Sequence, residues 1–205
     1  MTGGGERLRA LLIAPPGAGK GTQAERLSQH FGVSHISTGD VFRHEVAAGT
    51  KLGRQVKGYL DAGDLVPDPV VGEVVRQQIM RALRETGGYL LDGFPRTVPQ
   101  AEAAYALASE LGITAHAVLT FLVPRAVLLE RLMGRGSDGG RTDDDATTIR
   151  HRLDVYDAQT APLLDYYTQR GLLVPIDADR PPDEVTADSI VALERALAAG
   201  SPVPS

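Results

Sequence analysis

Leu11-Leu12-Ile13-Ala14-Pro15-Pro16-Gly17-Ala18-Gly19-Lys20-Gly21-Thr22 is the stretch that decides how this chain reads. The apolar run Leu11 to Ala14 has the length and composition of a buried parallel strand. Two prolines stop it, and Gly17, Gly19 and Gly21 leave backbone N–H groups free to approach an anion closely. Lys20 adds a fixed positive charge. Thr22 opens a helix whose apolar residues Ala24, Leu27 and Phe31 follow the helical spacing, so the positive end of its dipole faces the same anion. Strand, loop and helix together make a grip for a nucleoside triphosphate. The pattern departs from G-x-x-x-x-G-K-[ST] at two places, with Ala14 at the first glycine and the hydroxyl displaced from Gly21 to Thr22. Gly-Ala-Gly also builds a plain strand-to-helix turn. However, only Lys20, Lys51 and Lys57 are lysines among 21 basic residues, so a lysine in this loop is less easily chance than another arginine.

Downstream, Val33 to Ser37 is long enough for a second short strand. Thr38 to Val66 breaks into two or three short helical patterns punctuated by Gly49, Gly53, Gly58 and Gly63, which suits a small mobile subdomain. Within it, Arg43 lies one turn into a helix that Asp40 could cap, where it could meet a second anion near the first. Pro67-Asp68-Pro69 starts a scaffold helix with Val71, Val75, Ile79 and Leu83 among its apolar positions. Tyr89 to Asp92 is a buried-type strand ending in an acid, followed by Gly93-Phe94-Pro95-Arg96. An aspartate at the C-terminal end of a parallel strand faces the ligand crevice and can hold the water shell of a magnesium ion.

The alternation continues with a helix from Gln100 to Leu111, a strand from His116 to Val123 and a helix from Arg125 to Arg135 that sets Arg131 and Arg135 four apart on one face. Gly134 to Gly140 is a short loop that Arg141 closes. Asp143, Asp144 and Asp145 then concentrate negative charge at the start of a helix carrying Ile149, Arg152, Leu153 and Tyr156. Pro162 should break or kink that helix. Leu172 to Ile176 is the last strand, and Glu184 to Leu197 the last helix. Five strand candidates, each followed by helical sequence, predict an α/β fold with an open five-stranded parallel sheet and helices on both faces.

A chain of 205 residues can bury a full core as one globular unit. Net charge −5 argues against a nucleic-acid surface. Zero cysteines exclude disulfides and a Cys-based zinc site, and fit a reducing compartment. No apolar run approaches the roughly 20 residues of a membrane span, and the run behind Arg7 and Arg9 is too short for a signal-peptide core. The expectation is a cytoplasmic protein with no membrane or nucleic-acid partner.

Taken in order, the loop at Gly17 to Thr22, Ser37-Thr38-Gly39-Asp40, Leu91-Asp92-Gly93-Phe94-Pro95-Arg96-Thr97, and Gly134-Arg135 with Gly140-Arg141-Thr142-Asp143-Asp144 resemble the adenylate kinases over about Leu11 to Arg195. The resemblance implies a P-loop kinase fold. It divides into a core of residues 7–37, 67–134 and 146–198, a small helical monophosphate-binding insertion at 38–66, a short lid at 135–145, and tails at 1–6 and 199–205. It implies the transfer ATP + AMP = 2 ADP, with Mg2+ carried by ATP and reached through water from Asp92, and no zinc. ATP would be held by Gly17, Ala18, Gly19, Lys20, Gly21, Thr22, Arg131, Arg135 and the backbone near Arg180. AMP would be held by Thr38, Arg43, Asp64, Leu65, Val66, Gly93, Phe94, Pro95, Arg96 and Gln100, with Arg141 and Arg152 reaching across to the phosphates being joined. Lys20, Arg96, Arg131, Arg141 and Arg152 would carry the chemistry, and the family default is a monomer whose partners are ATP, AMP and ADP.

This allocation agrees with the needs of phosphoryl transfer, which are alignment and charge neutralisation more than covalent chemistry. The stretch between Arg135 and Arg141 is brief, as in the short-lid members of the family. Two other readings are distinguishable. A UMP/CMP kinase on the same scaffold tends to carry asparagine where this chain has Thr97 and Gln100, and a non-catalytic nucleotide-binding protein finds its support in Ala14.

Overall fold

A computed structural model describes residues 6–137 and 146–200. Strands β1 (Arg9–Leu12), β2 (Ser34–Ser37), β3 (Tyr89–Asp92), β4 (Ala117–Leu122) and β5 (Leu173–Asp177) form one parallel sheet in the order β2-β3-β1-β4-β5. All five predicted strands are present. The first begins two residues before Leu11, because the Arg9 guanidinium finds partners there: its Nε donates to the Thr114 carbonyl at 3.0 Å and an Nη lies 2.6 Å from Glu6. The ladder also runs past the strand's end, with Ile13 N–H donating to Leu119 O at 2.9 Å.

Side chains alternate across a strand, so the sheet divides the interior in two. Ala10, Leu12, Leu90, Ala117, Leu119 and Phe121 face one core, shared with helices α1 (Lys20–Phe31), α6 (Arg125–Ser137), α7 (Ala146–Val155) and α9 (Pro182–Ala199). Leu11, Tyr89, Leu91 and Val118 face the other, shared with α2 (Thr38–Ala47), α3 (Lys51–Ala62), α4 (Asp68–Glu85), α5 (Val98–Glu110) and α8 (Pro162–Thr168). Burying each such leucine contributes about 2 kcal/mol. No helix among the described residues is long and apolar enough to cross a membrane.

Pro162 acts as expected, in a particular way. It has no N–H to continue the ladder and its ring crowds the preceding turn. The chain widens ahead of it into a π-helical turn, Tyr156–Thr160, in which Ala161 N–H donates to Tyr156 O at 2.8 Å.

The segment between β2 and α4 folds as an α2–α3 hairpin. Ser37, rather than Asp40, caps α2, its hydroxyl accepting from Asp40 N–H at 3.3 Å, because the helix starts directly after β2 and leaves Asp40 inside the first turn. Thr50 caps α3 by accepting from Gly53 N–H at 2.9 Å. The two helices meet so closely that a Cβ on Gly53 would lie 2.0 Å from the Glu45 carbonyl oxygen and 2.6 Å from Val46 N. Backbone cannot yield as a side chain does. Gly53→Ala should therefore loosen the hairpin by about 2 to 3 kcal/mol, seen as faster hydrogen exchange across α2 and α3. Unchanged exchange there would show that the helices can separate without cost.

Candidate nucleotide-binding cleft

β1 and β3 are neighbours, with Leu12 paired to Asp92, yet their helices go to opposite faces: α1 packs Ala24 and Leu27 into the first core, α5 packs Ala101 into the second. The loops that leave these strands diverge and open a crevice at the sheet's C-terminal edge. A cleft of about 530 Å³ lies there, with Lys20, Thr38, Arg43, Asp92, Arg96 and Arg152 on its walls. Four cations thus converge in a protein of net charge −5.

On one side stands the loop after β1. Gly17 and Gly19 have φ of +85° and +88°, which L side chains rarely adopt, and a Cβ on Gly17 would also press within 3.0 Å of Leu128 O and Leu132 Cγ. Gly19 caps α1, which opens at Lys20, two residues before Thr22, because the left-handed turn is complete at Gly19. Lys20 Nζ donates to the carbonyls of Ala14 at 2.7 Å and Pro15 at 3.0 Å. Ala14 has no positive φ, and its methyl is buried in the first core. The helix is braced from behind: buried Gln23 donates to Pro182 O at 2.9 Å and accepts from Thr186 Oγ1 at 2.8 Å, tying α1 to α9.

Opposite stand β2, the α2–α3 hairpin and the turn after β3. Buried Thr38 donates to Gly93 O at 3.0 Å. Gly93 has φ +85°, and a Cβ there would fall 2.5 Å from Thr38 Oγ1, so only glycine fits. The next peptide bond, Phe94–Pro95, is cis. Arg96 Nε donates to Gly93 O at 2.8 Å and Arg96 N–H to Gln100 Oε1 at 2.8 Å, while Gln100 Nε2 donates to Asp68 Oδ1 at 2.6 Å. Arg43 pairs with Asp40, and the ends of the hairpin are tied to α7 by His151 Nε2 and Asp64 Oδ1, 2.7 Å apart. Gly63 lies beneath Arg152, whose Cγ would be 3.0 Å from a Cβ at that position.

The walls of the cleft bring together Gly17, Gly19, Lys20, Gly21, Thr22, Thr38, Arg43, Asp64, Leu65, Val66, Gly93, Pro95, Arg96, Gln100 and Arg152. Ala18 and Phe94 are buried in the cores behind it. Arg131 and Arg180 are not on its walls. Both Arg131 Nη atoms donate to Ala178 O at 3.2 Å and Asp179 lies 3.5 Å away, while Arg180 pairs with Asp188 and lies 3.6 Å from Asp177 and 3.7 Å from Glu184. Arg135 is within α6, and Arg141, with the acidic run Asp143 to Asp145, lies outside the described residues.

One cleft group and one partner behind the cleft wall escape a sequence reading. Tyr156 looks like one more apolar helix position, yet it lines the cleft with its phenol pushed up to about 12 by burial, so it stays protonated at neutral pH. Asp68 looks like part of a helix start and is revealed only by its contact with Gln100, 32 residues away.

One polar atom bears on a metal. Asp92 Oδ1 is buried without a hydrogen-bond partner among the described residues, at the cleft end of β3. A buried carboxylate oxygen left bare costs free energy unless something meets it. Among the described residues no three His, Cys, Asp or Glu side chains cluster to hold an ion by themselves. A single carboxylate suits magnesium that arrives with phosphate and keeps its own water.

Comparison with known proteins agrees with this geometry. The family model described as adenylate kinase matches residues 12–172. An adenylate kinase from Mycobacteroides abscessus is 50% identical over 188 residues, covering 92% of this chain and 100% of the relative. One from Kocuria rhizophila is 48% identical over 187 residues, covering 91% and 99%. The adenylate kinase of Carboxydothermus hydrogenoformans is 44% identical across 92% of this chain and 100% of its own length. That alignment runs to 215 positions, more than the 205 residues here, so the relative carries residues with no counterpart in this chain. With a family match over residues 12–172 and relatives 48% and 50% identical across 91% and 92% of it, the chain belongs to the adenylate kinase family.

Proposed function

We propose that the chain catalyses the reversible transfer ATP + AMP = 2 ADP, with ATP on the loop of Gly17 to Thr22 and AMP between the 38–66 hairpin and the Gly93–Arg96 turn. The observation that carries this is the meeting of two anion-binding walls in one cleft: Lys20 with the N-terminus of α1 on one, Arg43, Arg96 and Arg152 on the other. A single grip would serve any ATPase, whereas a second, facing one provides for a phosphorylated acceptor.

In this reading Lys20 neutralises the transferring phosphoryl group, Arg43 and Arg96 clamp the acceptor phosphate, and Arg152 and Arg141 stabilise charge on the bridging oxygens, joined by Arg131 only if it releases Ala178 O. Arg135 and the backbone beside Arg180 flank the donor base. Residues 38–66 form the acceptor subdomain and 135–145 the lid, closing on a core of 7–37, 67–134 and 146–198. Thr38, the Asp64 to Val66 backbone and Gln100 hold the acceptor nucleoside. Magnesium arriving with ATP would neutralise part of the phosphate charge, and Asp92 is the residue that would hold it, through water. The enzyme acts as a cytoplasmic monomer on free adenine nucleotides.

The test is direct. Purified protein with Mg-ATP and AMP should form two ADP for each AMP consumed, and the reverse reaction should restore both. A magnesium chelator should abolish turnover and leave the melting temperature unchanged, because the ion belongs to the substrate and not to the fold. Binding of ATP without consumption of any monophosphate would overturn the reading.

A further inference from the structure

Gln100 is the most constrained amide in the cleft, and its constraint has a direction. A side-chain amide can be turned end for end, exchanging its acceptor and donor positions while filling the same space. Here both ends are spoken for. The backbone N–H of Arg96, a donor only, meets Oε1 at 2.8 Å, and the carboxylate of Asp68, an acceptor only, meets Nε2 at 2.6 Å. Turning the amide would set donor against donor and acceptor against acceptor. The two bonds leave one oxygen lone pair and one N–H on Gln100.

That remainder matches an adenine edge, which offers a ring-nitrogen acceptor beside an amino donor. It mismatches a 6-oxopurine, which offers a ring N–H beside a carbonyl and would need the amide reversed. Asp68 supplies the acceptor that fixes the amide's donor end, from the first turn of α4, where its charge also suits the helix dipole. It begins α4 between Pro67 and Pro69, and its side-chain hydrogen bond goes to Gln100. Its partner is on another helix, α5.

We infer that Asp68 is a positioning residue for acceptor choice, holding the Gln100 amide in the one orientation that selects adenosine over inosine monophosphate. The inference rests on the reading that Gln100 meets the acceptor base. Arg96 N–H remains as a second lock when Asp68 is lost, so selectivity weakens and does not vanish.

The experiment compares kcat/KM for AMP and IMP in the unmodified protein, Asp68→Asn, Asp68→Ala and Gln100→Ala. Asparagine preserves size and helix-start character but presents either an acceptor or a donor, so it tolerates both orientations of Gln100. Asp68→Asn and Asp68→Ala should each lower the AMP-to-IMP ratio about tenfold, one hydrogen bond's worth, with KM for ATP within about twofold of the original. A purely structural role would lower both acceptors together and leave the ratio fixed. An unchanged ratio in both Asp68 variants, with the ratio collapsed in Gln100→Ala, would overturn the inference and keep the acceptor reading. An unchanged ratio in Gln100→Ala would remove that reading, and the inference with it.

Discussion

Supplied with Mg-ATP, the purified protein is expected to phosphorylate AMP about 10⁴-fold more efficiently than CMP or UMP: with Gln100 meeting the acceptor base as proposed, a purine is long enough to bring its edge to the amide and a pyrimidine is not. Gln100 is buried, and its amide is held by Arg96 N–H and Asp68 before any ligand arrives. A site of this kind discriminates through what the wrong ligand leaves unpaired. In the proposed site a pyrimidine, one ring smaller, would leave the amide's donor and acceptor desolvated without partners, a cost larger than the gain from correct pairing. Gln100→Ala should raise the KM for AMP and narrow the gap between AMP and CMP, while KM for ATP changes little. Equal use of AMP and CMP by the unmodified protein would assign it to the pyrimidine kinases.

Lys20→Met should leave a folded protein whose turnover falls about 10²- to 10³-fold, the usual loss when one preorganised group aimed at developing charge is removed. The lysine is not core. Its Nζ bonds to two loop carbonyls, Ala14 and Pro15, and its side chain lines the cleft rather than packing in either hydrophobic cluster. Methionine keeps the length of the stem and removes the charge, so the melting temperature should hold within a few degrees. A variant that melts normally and makes ADP at close to the original rate would place the charge-stabilising group elsewhere, among the arginines.

Much of this molecule is legible in its sequence, for reasons that can be traced to single elements. The inner strands β1, β3 and β4 are runs of four to six residues buried almost throughout and followed by a helical pattern, so Tyr89–Asp92 and Ala117–Leu122 stand out without any tertiary information. The loop before α1 is equally plain, because glycines, a lysine and a helix start serve one purpose in consecutive residues. Strand order is another matter. Nothing local says that β3 inserts between β1 and β2, since that follows from pairing across more than fifty residues. Side-chain pairings between helices are hidden for the same reason: Asp68 with Gln100, or Gln23 with Pro182 and Thr186. Helix ends also shift when a neighbour supplies the cap, as Ser37 does for α2 and Gly19 for α1. The position of Arg131 against Ala178 could not be read from its spacing to Arg135, which fixes a face of α6 but not what that face meets.

The sheet is one residue thick, and its alternating side chains keep the two interiors apart. Ala14, Ala18, Leu27 and Leu132, which seat the loop and its helix, lie in one; Ile36, Phe42, Val56 and Val66, which seat the hairpin, lie in the other. Between them runs the sheet's own layer of main-chain hydrogen bonds. Residues that share no partner across such a partition perturb stability independently. If the loop and the hairpin hold different nucleotides, as proposed, substitutions deep in one core should alter one affinity more than the other, with the Asp64–His151 contact as a direct link between the two sides.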